Sequence, residues 1–192
     1  LQVLNQLTEQ DRASVVVFDS RIDVLCPATA VTPRLRDEMH SRLAGVAARS
    51  RTALHEGWLT GAQTIADDGE GGTATPARVL LLTDGMANVG ETDPEAIATQ
   101  AARVYRLAGV ATSTFGIGSD YDETLLGPMA VAGGGQFHHL RTPDEIIATF
   151  GGELGALLDT AVTKVNLELA VGSGTTMELV STFWVDRTSP NS

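Results

Sequence analysis

The spacing of apolar positions along the chain changes repeatedly, and each change marks an element. Leu1, Val3, Leu4 and Leu7 recur as in the closing turns of an amphipathic helix. Val15-Val16-Val17-Phe18 is an unbroken β-branched and aromatic run, which predicts a strand buried on both faces. After the polar turn Asp19-Ser20-Arg21, residues Ile22 to Cys26 predict a second strand, stopped by Pro27 and joined to the first as a hairpin. Thr32-Pro33 reads as a helix start, threonine capping and proline at the first helical position, with Leu35, Met39 and Leu43 on one face. A further helix is predicted from Ala53 to Asp67, with Leu54, Trp58, Leu59, Ala62, Ile65 and Ala66 turned inward.

Residues 68–76, rich in glycine and threonine, predict a surface loop. Val79-Leu80-Leu81-Leu82-Thr83 predicts a fully buried strand that ends abruptly at Asp84-Gly85. Thr92-Asp93-Pro94-Glu95 opens a helix carrying Ile97, Ala101, Val104 and Leu107, which stops at Gly109. A strand follows from Val110 to Ile117, then a short helix with Leu125, Leu126 and Met129. A strand over Gln136 to Leu140 and a helix from Thr142-Pro143 to about Ala161 complete the series. Strands alternating with helices imply an α/β domain with a mostly parallel sheet, whose ligands sit beyond the carboxyl ends of the strands. From Val162 the character changes: Val165, Leu167, Leu169 and Val171 alternate with polar residues, and Leu179 to Val185 reads as another strand. Residues 162–192 therefore read as the start of a β-rich segment.

Composition narrows the function. With 192 residues, 43% apolar and 19% charged, the chain is of globular type and long enough to bury a core. Apolar runs of about four residues fall far short of the roughly 20 that cross a bilayer, so no membrane span and no leader are expected in it. A net charge of −11 argues against nucleic acid or anionic lipid and is compatible with cations. The single cysteine, Cys26, allows no intrachain disulfide and no cysteine-built zinc cage. It leaves the compartment open, with the cytoplasm favoured over the cell surface or secretion.

Twelve of the 13 basic residues are arginine, and Lys164 is the only lysine. It lies far along the chain from any strand exit, which argues against phosphoryl transfer, a P-loop and Schiff-base chemistry. Gly116-Ile117-Gly118 is followed by Tyr121 where a dinucleotide fingerprint needs glycine, and no Gly-x-Ser-x-Gly elbow occurs. His138 and His139 are adjacent in a strand and point to opposite faces, so they cannot chelate together. His40 and His55 belong to different helices, and all four histidines read as structural or solvent-facing. Asp120, Asp122 and Glu123 read as helix-capping carboxylates, and Cys26 as a small core residue. Asp84 carries two readings: a strand-ending turn with Gly85, or a metal ligand, nucleophile or phosphate acceptor at a strand exit.

Several segments together bear on that choice. Gln10-Asp11-Arg12, Val15 to Asp19, Arg51-Thr52-Ala53-Leu54-His55-Glu56-Gly57, Leu80 to Gly85, Phe115-Gly116-Ile117-Gly118 and Gly133 to His138 resemble a von Willebrand factor A domain of bacterial type, in order and spacing. The resemblance covers about residues 1 to 160 and implies a Rossmann-like, mostly parallel sheet flanked by helices, over 1–161. It also implies a metal-ion-dependent adhesion site of three loops holding Mg²⁺, with one position left for a carboxylate of a protein partner. Thr52 matches the family's threonine and Asp84 its aspartate. The first loop, Asp-x-Ser-x-Ser after the first strand, has no counterpart.

The implied function is a non-catalytic protein-binding module, metal-assisted in complete form. The alternatives are a subunit assisting an enzyme complex, such as a metal chelatase or an AAA+ partner, and a phosphoaspartyl enzyme using Asp84. One hydroxyl and one carboxylate make a weak site for a hard octahedral ion, so poor Mg²⁺ binding by this chain is expected. The resemblance further implies that the strands at Val15 and Val79 lack a common neighbour. They would then pair directly, accept a strand from another molecule, or leave the fold unstable, and a parent protein longer at both ends is expected.

Overall fold

The strands form two sheets, and one helix packs against both. In the computed structural model, which describes residues 3–47, 51–67 and 76–158, a single 3₁₀ turn (Val3–Asn5) precedes the hairpin of β1 (Arg12–Phe18) and β2 (Ile22–Ala30). There follow α1 (Pro33–Ala44), α2 (Leu54–Ala66), β3 (Ala77–Thr83), α3 (Pro94–Ala108), β4 (Val110–Ile117), α4 (Glu123–Ala132), β5 (Gly134–Leu140) and α5 (Pro143–Leu158). β1 and β2 are antiparallel, whereas β3, β4 and β5 form a parallel sheet in that order. Of the outcomes expected for the strands at Val15 and Val79, direct pairing does not occur: β1 and β3 belong to separate sheets.

Side-chain alternation on β3 divides the core. Val79 and Leu81 join α2, α3 and α4 through Leu54, Trp58, Ile97, Ala101, Leu125, Leu126 and Met129. Leu80 and Leu82 face the other way, toward Phe115, Leu140 and Phe150 of α5. A separate small core joins the hairpin to α1 through Cys26, Leu35 and Met39. What unites hairpin and parallel sheet is α2. Phe18 of β1 lies so close to Gly57 that a Cβ there would fall 2.4 Å from its ring, and Ser14 shares a 3.0 Å hydrogen bond with Thr64. From the next residue of the same helix, Trp58 Nε1 donates to Thr112 Oγ1 of β4 at 3.0 Å.

β4 is the central strand of the parallel sheet, and it buries Thr112, Ser113 and Thr114 completely. Each hydroxyl is satisfied, as burial requires. Thr112 accepts from Trp58, Thr114 Oγ1 donates to the Leu126 carbonyl at 2.9 Å, and Ser113 Oγ donates to Glu153 Oε2 at 2.9 Å. Glu153, buried on α5, also binds Arg78 of β3 and takes a 2.8 Å bond from His138 Nε2 of β5. One carboxylate thus ties a helix to all three strands. Burial pushes the Glu153 carboxyl up, but hydrogen bonds from His138, Ser113 and Arg78, with the Arg78 charge, outweigh it and hold the group below its usual value.

Several sequence expectations need correction. Val3 and Leu4 lie in a 3₁₀ turn and not at the end of an α-helix. β1 is only half-buried, and among the described residues it has a strand beside one edge alone. β2 runs through Pro27 to Ala30: on an edge strand a missing N–H is tolerated, and the pairing shifts register between Val15↔Cys26 and Ala13↔Thr29, where Pro27 falls. Leu80 and Leu82 are half-buried, so β3 is not fully buried. Ala66 and Leu107 are exposed near the ends of α2 and α3, Leu107 to 79%, because neither helix terminus overlies the sheet as its middle does. Asp93, not Thr92, caps α3, accepting from Ala96 N at 2.9 Å. The loop at 68–75, the end of the last helix beyond Leu158 and the β-rich segment at 162–192 lie outside the described residues.

Two outcomes follow. The edges of β1 and β3 that have no partner strand among the described residues should show alternate amides exchanging with solvent much faster than those of β4, as read by hydrogen exchange and NMR. Because folding makes Glu153 the stronger acid, its contribution is complete above the unfolded value, about 4.5. It is lost as pH falls through the lower folded value. Urea unfolding at a series of pH values should therefore show Glu153→Gln costing about 1–3 kcal/mol at neutral pH, with a shallower loss of stability below pH 4.5 than the parent.

Candidate functional site

Asp84 stands in the turn that leaves β3. Thr83 Oγ1 donates to the Gly85 carbonyl at 3.0 Å and accepts from Gly85 N at 3.3 Å, closing a tight loop around Asp84 and leaving its side chain outside. The Asp84 carboxylate is exposed and makes no hydrogen bond or ion pair among the described residues. Thr52, half-buried, sits two residues before α2. The next amide, Ala53 N, donates to the Asp19 carbonyl at 2.7 Å, which draws the exit of β1 to the start of α2.

The structure brings Thr52 to the Asp84 loop. A Cβ placed on Gly85 would lie 3.8 Å from Thr52 Oγ1, so hydroxyl and turn are neighbours. Asn88 fixes the approach with two bonds in opposite directions. Its Oδ1 accepts from Thr52 N at 2.9 Å, and its own N donates to the Thr52 carbonyl at 3.1 Å. Asn88 escaped the sequence reading. It lies in a loop without periodicity, and its only local signal is an amide side chain four residues after Asp84. Asp19 likewise contributes through its backbone, which no side-chain pattern reports.

The other candidates are placed apart. His138 faces Glu153 and stacks on Phe115 with ring centres 4.9 Å apart, whereas His139 meets Tyr121 on the opposite face. His55 bonds Gln100, and His40 is exposed. Asp122 caps α4, accepting from Thr124 N at 2.9 Å. Cys26 is buried with Leu35 and Met39. Among the described residues, no three His, Cys, Asp or Glu side chains gather as a metal cluster. Thr52 and Asp84 offer hard oxygen donors, one neutral and one charged, suited to Mg²⁺ in type but few in number.

The von Willebrand factor type A domain model matches residues 1–149. The chain belongs to the von Willebrand factor type A family. Its fold is accordingly the Rossmann-like one of that family, here with a parallel sheet of three strands flanked by helices. The uncharacterized protein YfbK of Escherichia coli K12 is 30% identical over 172 residues, covering 87% of this chain and 28% of its own length. The uncharacterized protein sll0103 of Synechocystis is 26% identical over 169 residues, covering 88% of this chain and 38% of its own. The chain thus spans well under half the length of these relatives.

Solved von Willebrand factor type A structures share the fold. A domain from Catenulispora acidiphila superposes with a TM-score of 0.67 at 21% identity, covering 81% of this chain and 36% of that one. BatB from Bacteroides thetaiotaomicron gives 0.62 at 14%, covering 83% and 84%. Proximal thread matrix protein 1 of the mussel byssus, solved with a zinc-occupied MIDAS motif, gives 0.58 at 18%, covering 81% and 38%.

If Asn88 is what holds Thr52 at the Asp84 turn, Asn88→Ala should lower stability by about 1 kcal/mol in thermal or urea unfolding. It should also speed exchange of the Thr52 amide while leaving β4 amides protected.

Proposed function

We propose that this von Willebrand factor type A chain is a non-catalytic protein-binding module whose ligand recognition is assisted by Mg²⁺. The observation that carries the reading is the Thr52 hydroxyl lying beside a turn that presents an exposed, uncommitted Asp84 carboxylate. Thr52 and Asp84 are the residues of this chain that would hold the ion. The ion would supply a hard positive centre for a carboxylate offered by a protein partner. The zinc-occupied MIDAS motif of the mussel byssus protein supports a metal on this fold, although that protein shares only 18% identity with the chain.

Two further features support binding over catalysis. Met86, 58% exposed two residues after Asp84, gives the rim of the site a flexible apolar side chain of the kind protein surfaces grip. Among the described residues, no serine or cysteine is hydrogen-bonded to a histidine, so no Ser–His or Cys–His nucleophile pair is assembled. A phosphoaspartyl role for Asp84 is disfavoured by the remote position of Lys164 in the sequence.

Two measurements test the reading. Calorimetry of this chain with MgCl₂ should show weak binding, on the order of millimolar or weaker, since two protein oxygens leave most positions to water. Tight one-to-one binding would overturn the two-donor account. Affinity capture with the chain as bait should retain a protein in Mg²⁺ that is released by EDTA and not retained by Asp84→Ala. Retention indifferent to both treatments would count against metal assistance.

A further inference from the structure

β3, β4 and β5 run parallel, so their exits lie along one edge: Asp84 after β3, Gly118 to Asp122 after β4, Arg141 after β5. Away from Asp84, the exits of β4 and β5 border a cleft of about 430 Å³ lined by Gly118, Ser119, Tyr121, Glu123, His139 and Arg141. Its walls are held in place. Gly118, with φ of 77°, donates its N–H to the Leu140 carbonyl at 2.9 Å and ties the two exits together. The Tyr121 ring lies flat against Gly116, where a Cβ would come within 2.5 Å of it. Arg141 N donates to Glu145 Oε2 at 2.7 Å, which anchors the backbone beneath its side chain.

We infer that this cleft is a second ligand site, independent of metal, that takes a carboxylate group on Arg141 and His139. The Arg141 guanidinium makes no hydrogen bond or ion pair among the described residues, in a chain of net charge −11. Its planar fork matches a carboxylate bidentately. Tyr121 bonds His139 Nδ1 through its hydroxyl. His139 Nε2 is the ring nitrogen that Tyr121 does not engage, and a carboxylate in the cleft would select the tautomer that carries the proton there, with the phenol donating to Nδ1. Glu123 on the cleft wall offsets part of the attraction that Arg141 exerts on an anion.

The test is an NMR titration of the full chain in EDTA with sodium acetate, and separately with a capped Gly-Glu-Gly peptide, against sodium chloride and sodium phosphate at matched ionic strength. Saturable shifts at the amides of Gly118, Ser119 and Arg141 are expected with both carboxylates and not with chloride, and tighter binding of phosphate than of either carboxylate would overturn the assignment. Arg141→Gln, a change at an exposed position, should weaken binding about tenfold or more, and Tyr121→Phe by a smaller factor. Tighter binding of the peptide assigns the site to an acidic side chain of a protein. Equal binding of acetate assigns it to a free small acid. Shifts reproduced by chloride, or an Arg141→Gln variant that keeps its spectrum and titrates like the parent, would overturn the inference. EDTA separates this site from the Asp84 site, because failure of metal-dependent capture leaves the titration unaffected.

Discussion

The contact between Phe18 and Gly57 is the constraint on which the arrangement depends. Hairpin and parallel sheet share no ladder of hydrogen bonds, so they are joined through α2. The helix can serve both only by coming close to β1 at Gly57 while Trp58, the next residue, enters the parallel-sheet core. Any side chain at position 57 would collide with the ring and lift the helix from the hairpin. Thr52 leads into that same helix, so the seating of α2 also decides where the hydroxyl lies relative to Asp84. A packing restriction less than a turn and a half from Thr52 therefore bears on how Thr52 meets Asp84.

The two halves of the molecule differ in how they are held. Hairpin and α1 rest on a small apolar cluster, whereas α5 is docked by Phe150 and Leu154 together with one buried carboxylate. A buried charge contributes little net stability over an apolar replacement, but it tolerates only one placement. Glu153 meets partners on three neighbouring strands at once, which no shifted register of α5 could reproduce. The apolar contacts make α5 adhere, and the carboxylate dictates where.

Much of this was readable from residues in order. The apolar run at Val79 to Leu82, the caps at Thr32 and Asp122, and the stop at Gly109 rest on local chemistry, and each produced the expected element. Thr52 and Asp84 were readable because a short motif surrounds each. What escaped depends on neighbours distant in sequence. Val15 to Phe18 reads as a strand buried on both faces, but burial of a face depends on what packs over it, and these residues stay half-buried. Glu153 sits in a predicted amphipathic helix, where a glutamate looks like part of the solvent face. Its partners are 15, 40 and 75 residues away. Asn88 acts through paired bonds to a backbone 36 positions upstream, and a loop asparagine carries no mark of such a role.

Trp58 has a consequence of a different kind. Its indole is almost wholly shielded from water, its N–H is committed to Thr112, and it stands where α2 meets the central strand. The chain has one other tryptophan, Trp184, which lies outside the described residues. The emission of Trp58 is thus governed by whether α2 is seated. The protein carries its own optical gauge of the joint between its two sheets, placed about a turn and a half along the chain from Thr52.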